Sequence, residues 1–285
     1  MRAYLDLVRH VLTTGHRREN RTGVDTLATF GASYSVDLAD GFPLLTTKAV
    51  SWKNIVAETL WFLSGETSIA FLHRHGCRFW DSWARGGHVT AGYGPAWRRF
   101  PTAAGPNDQI AYVLAELARN PLSRRLVVSA WEPGDTQTNP LPPCHVLQVY
   151  NVQHDPEPRL NLHLTQRSAD IALGVPYNLA GYALMLDLMA RFSGLKPGRF
   201  FHSIADAHIY TSKADGSQAE HDHIPGLVQQ LAREPRRLPR LTIAPWVRSL
   251  ADLTPLMECG TEEMLSAFVL EGYEPHPAIG FKVAV

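Results

Sequence analysis

The segment 141–192, LPPCHVLQVYNVQHDPEPRLNLHLTQRSADIALGVPYNLAGYALMLDLMARF, decides how the chain is read. Its first half holds two runs rich in Val, Leu and Tyr, His145 to Val152 and Leu160 to Thr165, separated by Asp and Pro. With Leu126 to Trp131 upstream they predict three strands at the centre of a sheet. The second half places Leu179, Tyr182, Ala183, Leu186, Met189 and Ala190 on the longest apolar stripe of the chain. That spacing predicts a buried helix packed on the sheet.

Working outward, Tyr4 to Leu12 has helical spacing and stops at Gly15, a residue suited to a left-handed cap. Ile55 to Leu63 forms a helix behind Ser51 as N-cap and ends at Gly65; Asp108 to Asn120 repeats the pattern before Pro121. Leu27 to Leu38 reads as a strand with a bend or bulge at Gly31. A short strand at Phe200 to Ile204, a helix at Leu227 to Arg233, and strands at Leu241 to Ala244 and Phe268 to Leu270 follow. Trp246 to Glu263 is poorly patterned and reads as an inserted surface segment. There is no repeat and no linker, so residues 1–285 are expected to form a single α+β domain.

Composition narrows the function. With 285 residues, 45% hydrophobic and 19% charged, the chain can bury a core and lies outside the disordered range. Lys plus Arg and Asp plus Glu each number 27, so no overall positive field favours nucleic acid. A local arginine cluster for a small anion is still compatible with that balance. No apolar run reaches the roughly 18 to 20 residues of a membrane span, and Arg2 and Asp6 bracket Leu5 where a signal-peptide core would begin. A cytoplasmic location is expected. Cys77, Cys144 and Cys259 cannot all pair within one chain, which favours thiol chemistry over a disulfide scaffold.

Generic cofactor motifs are missing. Gly92-Tyr93-Gly94 lacks the third glycine of a dinucleotide loop, and no Walker sequence occurs. His73, His75 and Cys77, and the run Glu220 to His223, each lack the second ligand pair of a zinc site, so no metal is expected. Pro142-Pro143-Cys144-His145 is different, because two prolines stiffen the backbone ahead of a cysteine that opens a strand. Cys144 is either a small core residue or a nucleophile. A nucleophile needs cations to raise its thiolate fraction, and Arg124, Arg125 and Arg167 are candidates. Gln166-Arg167-Ser168-Ala169-Asp170 ends a strand, and Asn178 stands at the mouth of the apolar helix. Asn178 is either a helix cap or an amide able to pair with N3–H and O4 of a uracil ring.

These residues resemble the thymidylate synthase family, which includes pyrimidine nucleotide hydroxymethylases. The likeness extends over Arg21 to Gly23, Phe42 to Lys48, Trp61 to Gly65, Trp80 to Trp83, Pro142 to His145, Gln166 to Asn178, Asp206 to Tyr210 and Tyr273 to Val285. It implies a mixed central sheet with packed helices, dimerising through the sheet. It further implies that Cys144 adds to C6 of dUMP, that C5 captures the one-carbon unit of 5,10-methylenetetrahydrofolate, and that a base removes the C5 proton. Hydride from the folate then gives dTMP and dihydrofolate; in a hydroxymethylase, acting on dUMP, dCMP or CMP, water adds instead and tetrahydrofolate leaves.

The same resemblance assigns Arg21, Arg124, Arg125, Arg167 and Ser168 to phosphate, with Arg124 and Arg125 reaching the partner's site in a homodimer. Gln166 belongs to its substrate-binding set. Asn178 takes the base, and His208 with Tyr210 takes the ribose. Glu58, Tyr93 and His145 serve the proton transfers and the base. Asp170, Trp80, Trp83, Leu141, Gly174 and Val285 border the folate. Several have ordinary alternatives: Tyr93 and His145 as hydrogen-bonded core residues, the tryptophans as packing in a helical region, and the arginine pair as an exposed turn. Three departures bear on the branch: Ala96 for glutamine, Ala205 for glycine and Gly280 for lysine. Ala205 is expected to add a methyl beside the sugar-binding pair, and Gly280 to loosen tail closure and admit water. Asn178, both tryptophans, Leu141 and the full tail match the methylating pattern. A reading of another class is a nucleotide- or RNA-binding regulator that keeps the fold, which turnover would exclude.

Overall fold

The computed structural model describes residues 1–20, 22–134, 141–154 and 156–284. Helix α1 (Arg2–Thr14) leads to strands β1 (His16–Arg18) and β2 (Asp25–Asp37). Helices α2 (Trp52–Ser64), α3 (Ala70–Arg74), α4 (Tyr93–Arg98) and α5 (Gln109–Arg119) follow, then β3 (Val127–Ser129), β4 (His145–His154) and β5 (Pro158–Asp170). Helix α6 (Gly174–Phe192) crosses to β6 (Lys196–Thr211), and α7 (Ile224–Leu231), β7 (Arg240–Ile243), α8 (Thr261–Ser266) and β8 (Phe268–Glu271) complete the order.

Six strands form one mixed sheet in the order β1-β2-β6-β5-β4-β3; β5 and β6 are parallel and the other neighbours antiparallel. A parallel pair needs a crossover, and α6 supplies it. Leu179, Leu186, Met189 and Ala190 are fully buried, as the apolar stripe predicts, and α6 packs on β5 and β6. Truncating a leucine such as Leu186 to alanine in this setting costs about 2–5 kcal/mol. Local signals elsewhere behave as read: Ser51 Oγ accepts from Asn54 N, Gly65 is left-handed at φ 73°, and the Asp108 side chain accepts from Ala111 N.

Four expectations are corrected. Gly15 closes α1 in an extended conformation (φ −70°), because the chain turns straight into β1. The centre of the sheet is β5 and β6, while β3 lies at its edge. The strand expected at Phe200 to Ile204 is the longest of all, 16 residues, its polar positions being held by neighbours on both sides. The segment 246–263 is packed, with Val247, Leu253 and Leu256 buried and a 3-10 turn over Leu250–Met257 against α2.

The bend at Gly31 belongs to a wider feature. Pairing is interrupted at Gly31, Ala205 and Arg167, in adjacent strands, and the β4–β5 register shifts by one residue between His145 and Leu147. Gly31 takes φ 77°, which a glycine adopts without strain. Ala205 keeps an ordinary negative φ, so alanine is accommodated within the break. The break crosses the sheet beside Cys144 and Arg167.

Candidate active site

Cys144 precedes β4 and is half-buried; none of the three cysteines is in a disulfide. The prolines before it present their carbonyls to one cation: Arg167 Nε donates to Pro143 O at 2.9 Å and its Nη2 to Pro142 O at 2.5 Å. The Arg167 backbone N–H donates to Cys144 O at 2.9 Å. A guanidinium has five donors, so the head that braces the cysteine segment still has donors for an anion.

On the other side, the Tyr93 hydroxyl accepts from the backbone N–H of Cys144 (3.1 Å) and of His145 (3.3 Å). Tyr93 is buried, which pushes its phenol far above the usual range, and its ring stacks on His145 at 4.4 Å and 9°. Burial also pushes the His145 imidazole down to about 3, so the ring is neutral at ordinary pH.

Glu58, His145 and Asn178 line one cavity together with Trp97, Tyr177 and Gly181. Glu58 comes from α2 among the buried Ile55, Ala57 and Trp61, and burial raises its carboxyl to about 7, against the opposing pull of a hydrogen bond from Trp80 Nε1 at 2.8 Å. Desolvation thus gives a carboxyl that exchanges its proton near neutrality. Trp80 is buried in an aromatic group with Trp61, Phe62 and Tyr93, and the half-exposed Trp83 lies 6.0 Å from it. Both tryptophans stand on a turn, not in a helical region, because α3 stops at Arg74.

Asn178 lies inside α6, whose N-cap is Leu173, so the capping alternative falls away. Its Oδ1 accepts from Gln166 Nε2 at 3.3 Å. Gln166 Oε1 can only accept, so His202 Nε2, 2.9 Å away, donates to it. The other His202 nitrogen then accepts from the Tyr34 hydroxyl at 3.0 Å. Tyr34, His202 and Gln166 therefore orient the Asn178 amide. Tyr34 and His202 were not legible as site residues, since each looks like an ordinary strand residue until β2, β6 and β5 are placed side by side.

At the end of β5, Ser168 Oγ lies 3.5 Å from Asp206 Oδ2, and His208 Nδ1 lies 3.7 Å from the same oxygen. His208, with Arg18 adding to it, holds the Asp206 carboxyl below its usual range. The His208 and Tyr210 rings meet edge-on at 5.2 Å. Asp170 Oδ1 accepts from the backbone N–H of Ala172 and Leu173. A Cβ on Gly174 would stand 3.6 Å from Asn178 Oδ1 and 3.8 Å from Asp170 Cβ, which places Gly174 between these two residues. Leu141 is half-buried against the core.

Arg124 and Arg125 do not join this group within the chain. They are exposed just before β3, two strands from the β5 strand that carries Arg167, and their side chains make no hydrogen bond or ion pair among the described residues. Arg21 and Val285 lie outside the described residues. Ala96 lines a second cavity, with Arg99, Glu132 and Pro142, not the one holding Asn178. Among the described residues no His, Cys, Asp or Glu cluster could hold a metal: His73 pairs with Asp81 at 2.6 Å, and His75 Nδ1 meets Thr261 Oγ1 at 2.9 Å. No helix among them is long and apolar enough to cross a membrane.

A cysteine braced by an arginine, an oriented amide and a near-neutral carboxyl make up a site for nucleophilic and proton-transfer chemistry on a small polar ring. The family model described as thymidylate synthase matches residues 2–285, and the chain belongs to the thymidylate synthase family. It is a one-carbon transferase acting on a pyrimidine nucleotide, in a family that uses methylenetetrahydrofolate as co-substrate.

Proposed function

We propose that the chain converts dUMP to dTMP by reductive methylation at C5. The observation that carries this reading is that Glu58, Asn178 and His145, the chain neighbour of Cys144, line one cavity. In this reaction the Cys144 sulfur adds to C6, which makes C5 nucleophilic, and leaves again by elimination once C5 is alkylated. Methylenetetrahydrofolate supplies the methylene carbon and the hydride and ends as dihydrofolate. Glu58 carries the proton at O4 and orders the water around C5, and Asn178 pairs with N3–H and O4 of uracil. Tyr93 serves C5 proton removal and holds the Cys144 backbone. Arg167 and Ser168, with Arg21, hold the phosphate by charge-assisted hydrogen bonds. His208 and Tyr210 take the ribose, and Trp80, Trp83, Leu141, Gly174 and Asp170 border the pterin.

The methylating branch is favoured over hydroxymethylation by the seating of the carboxyl-terminal segment. Gly280 replaces a lysine, yet its neighbours Phe281 and Lys282 are held on both sides, as described below. Closure of that segment would exclude water from the site. Mass spectrometry of the products decides: dTMP with dihydrofolate supports the reading, whereas 5-hydroxymethyl nucleotide with tetrahydrofolate rejects it. Cys144→Ser abolishes either reaction, since an alcohol is ionised far less than a thiol, and residual turnover in that variant would remove the covalent step.

The reading also includes a homodimer. One face of the sheet carries the rung His163, Phe201 and Ser35 across β5, β6 and β2, with Phe201 37% exposed. A second copy on this face would bring Arg124 and Arg125 to the opposite phosphate site. Mixing inactive Arg125→Glu and Cys144→Ser subunits should restore activity in up to about a quarter of sites, since about half of the dimers are mixed and each of these has one complete site of its two. No recovery would argue against sharing.

A further inference from the structure

The last described residues of the chain are seated by a set of contacts that the reaction above does not assign. The Phe281 ring has the Lys48 ammonium 4.6 Å from its centroid and the His223 ring 5.0 Å away. Beneath it lies Gly226 of α7, where an added Cβ would come within 2.6 Å of Phe281 Cε1 and 3.0 Å of Ile279 Cγ2. Lys282 is held twice. Its carbonyl meets His223 Nε2 at 2.9 Å, and its ammonium meets Glu220 Oε1 at 3.2 Å.

His223 is fully buried and faces both ways. A carbonyl can only accept, so Nε2 carries the hydrogen given to Lys282. Nδ1 has no hydrogen-bond partner among the described residues and lies 3.8 Å from Asp170 Oδ1, beyond hydrogen-bond reach. The Asp170 carboxylate is meanwhile anchored by the two backbone N–H groups at the mouth of α6.

We propose that His223, with Gly226 beneath the same segment, is a positioning residue that seats the carboxyl-terminal segment. The folate KM readout below rests on the closure given to this segment in the proposed reaction; the seat itself does not. Glu220 is the exposed, weaker part, as expected of a surface ion pair. Gly226 has a packing role: an added Cβ at 2.6 Å from Phe281 Cε1 would force the Phe281 ring out of its place against α7.

The test is release of the terminal residues from the intact protein by a carboxypeptidase, together with steady-state kinetics. Glutamine at 223 can present its amide where Nε2 stands, whereas asparagine places its amide nearer Nδ1 and drops the Lys282 carbonyl. His223→Asn and Gly226→Ala should release the terminus about tenfold faster than the parent, the worth of roughly one lost hydrogen bond, while His223→Gln stays within about twofold. The KM for methylenetetrahydrofolate should rise about tenfold in the first two, with dUMP binding alone unchanged. Equal release from all variants, or His223→Gln behaving as His223→Asn, overturns the seat. If Gly226→Ala does not fold, the two variants at 223 decide alone. Parent protein inert toward dUMP but showing the release pattern would refute the proposed reaction and uphold the seat.

Discussion

The Tyr93 hydroxyl accepts two consecutive backbone N–H groups, those of Cys144 and His145, and so pins the residue that carries the thiol to the start of α4. Tyr93→Phe keeps the ring stacked on His145 and removes the acceptor, leaving two N–H groups at a buried site without it. Stability should fall by about 1–3 kcal/mol in denaturant unfolding, and turnover should fall further than stability explains. Full activity at saturating substrates would contradict the positioning of Cys144 by this hydroxyl.

Glu58 links stability to pH in the direction opposite to an ordinary carboxylate. Its carboxyl is raised from 4.5 to about 7 by burial, so between those values the folded chain holds a proton that the unfolded chain has released. Folding stability should therefore decline as pH rises from about 4.5 to 7, by about 1–3 kcal/mol from this residue. Glu58→Gln should flatten that slope and remove an inflection near pH 7 from the rate profile. An unchanged slope would show that the carboxyl ionises normally.

His145 and His202 act at the acid side. Both are pushed from 6.5 to about 3 by burial, so the unfolded chain binds protons that the folded chain does not. Stability should be lost as pH falls from about 6.5 toward 3, and His202→Asn should make that decline shallower. Titration by NMR should find both rings neutral at pH 5. A charged ring at that pH would contradict the Tyr34 and Gln166 bonding pattern around His202.

Asn178→Asp exchanges the amide for an acceptor-only group, which suits the N4 amino group of cytosine and opposes O4 of uracil. The ratio of kcat/KM for dUMP over dCMP should drop at least about tenfold. If the ratio is unchanged, the base is read by other residues.

Much of the site was readable because its chemistry is concentrated in short stretches. Pro142 to His145 and Gln166 to Asp170 each carry several functional side chains whose spacing survives any small error in strand limits. Glu58 was named only through the resemblance to the family. Tyr34, His202 and His223 were not, because their partners lie 168, 36 and 59 residues away and only the sheet order brings them together. The length of β6 was underread for a related reason: strands β2 and β5 hold its polar positions, which alone look like loop. The segment 246–263 was misread because its buried residues are spaced for a 3-10 turn, and neither helical nor strand periodicity detects them.

The parallel pairing of β5 with β6 has a consequence for how the molecule is made. Cys144 emerges during synthesis well before Asp206, His208 and Tyr210, and α6 lies between them, so β6 can pair with β5 only once that helix has crossed. A nascent chain ending short of β6 has the Cys144 sulfhydryl but lacks Asp206, His208 and the His202 ring that holds Gln166, so the set around Asn178 is completed only when that strand is added.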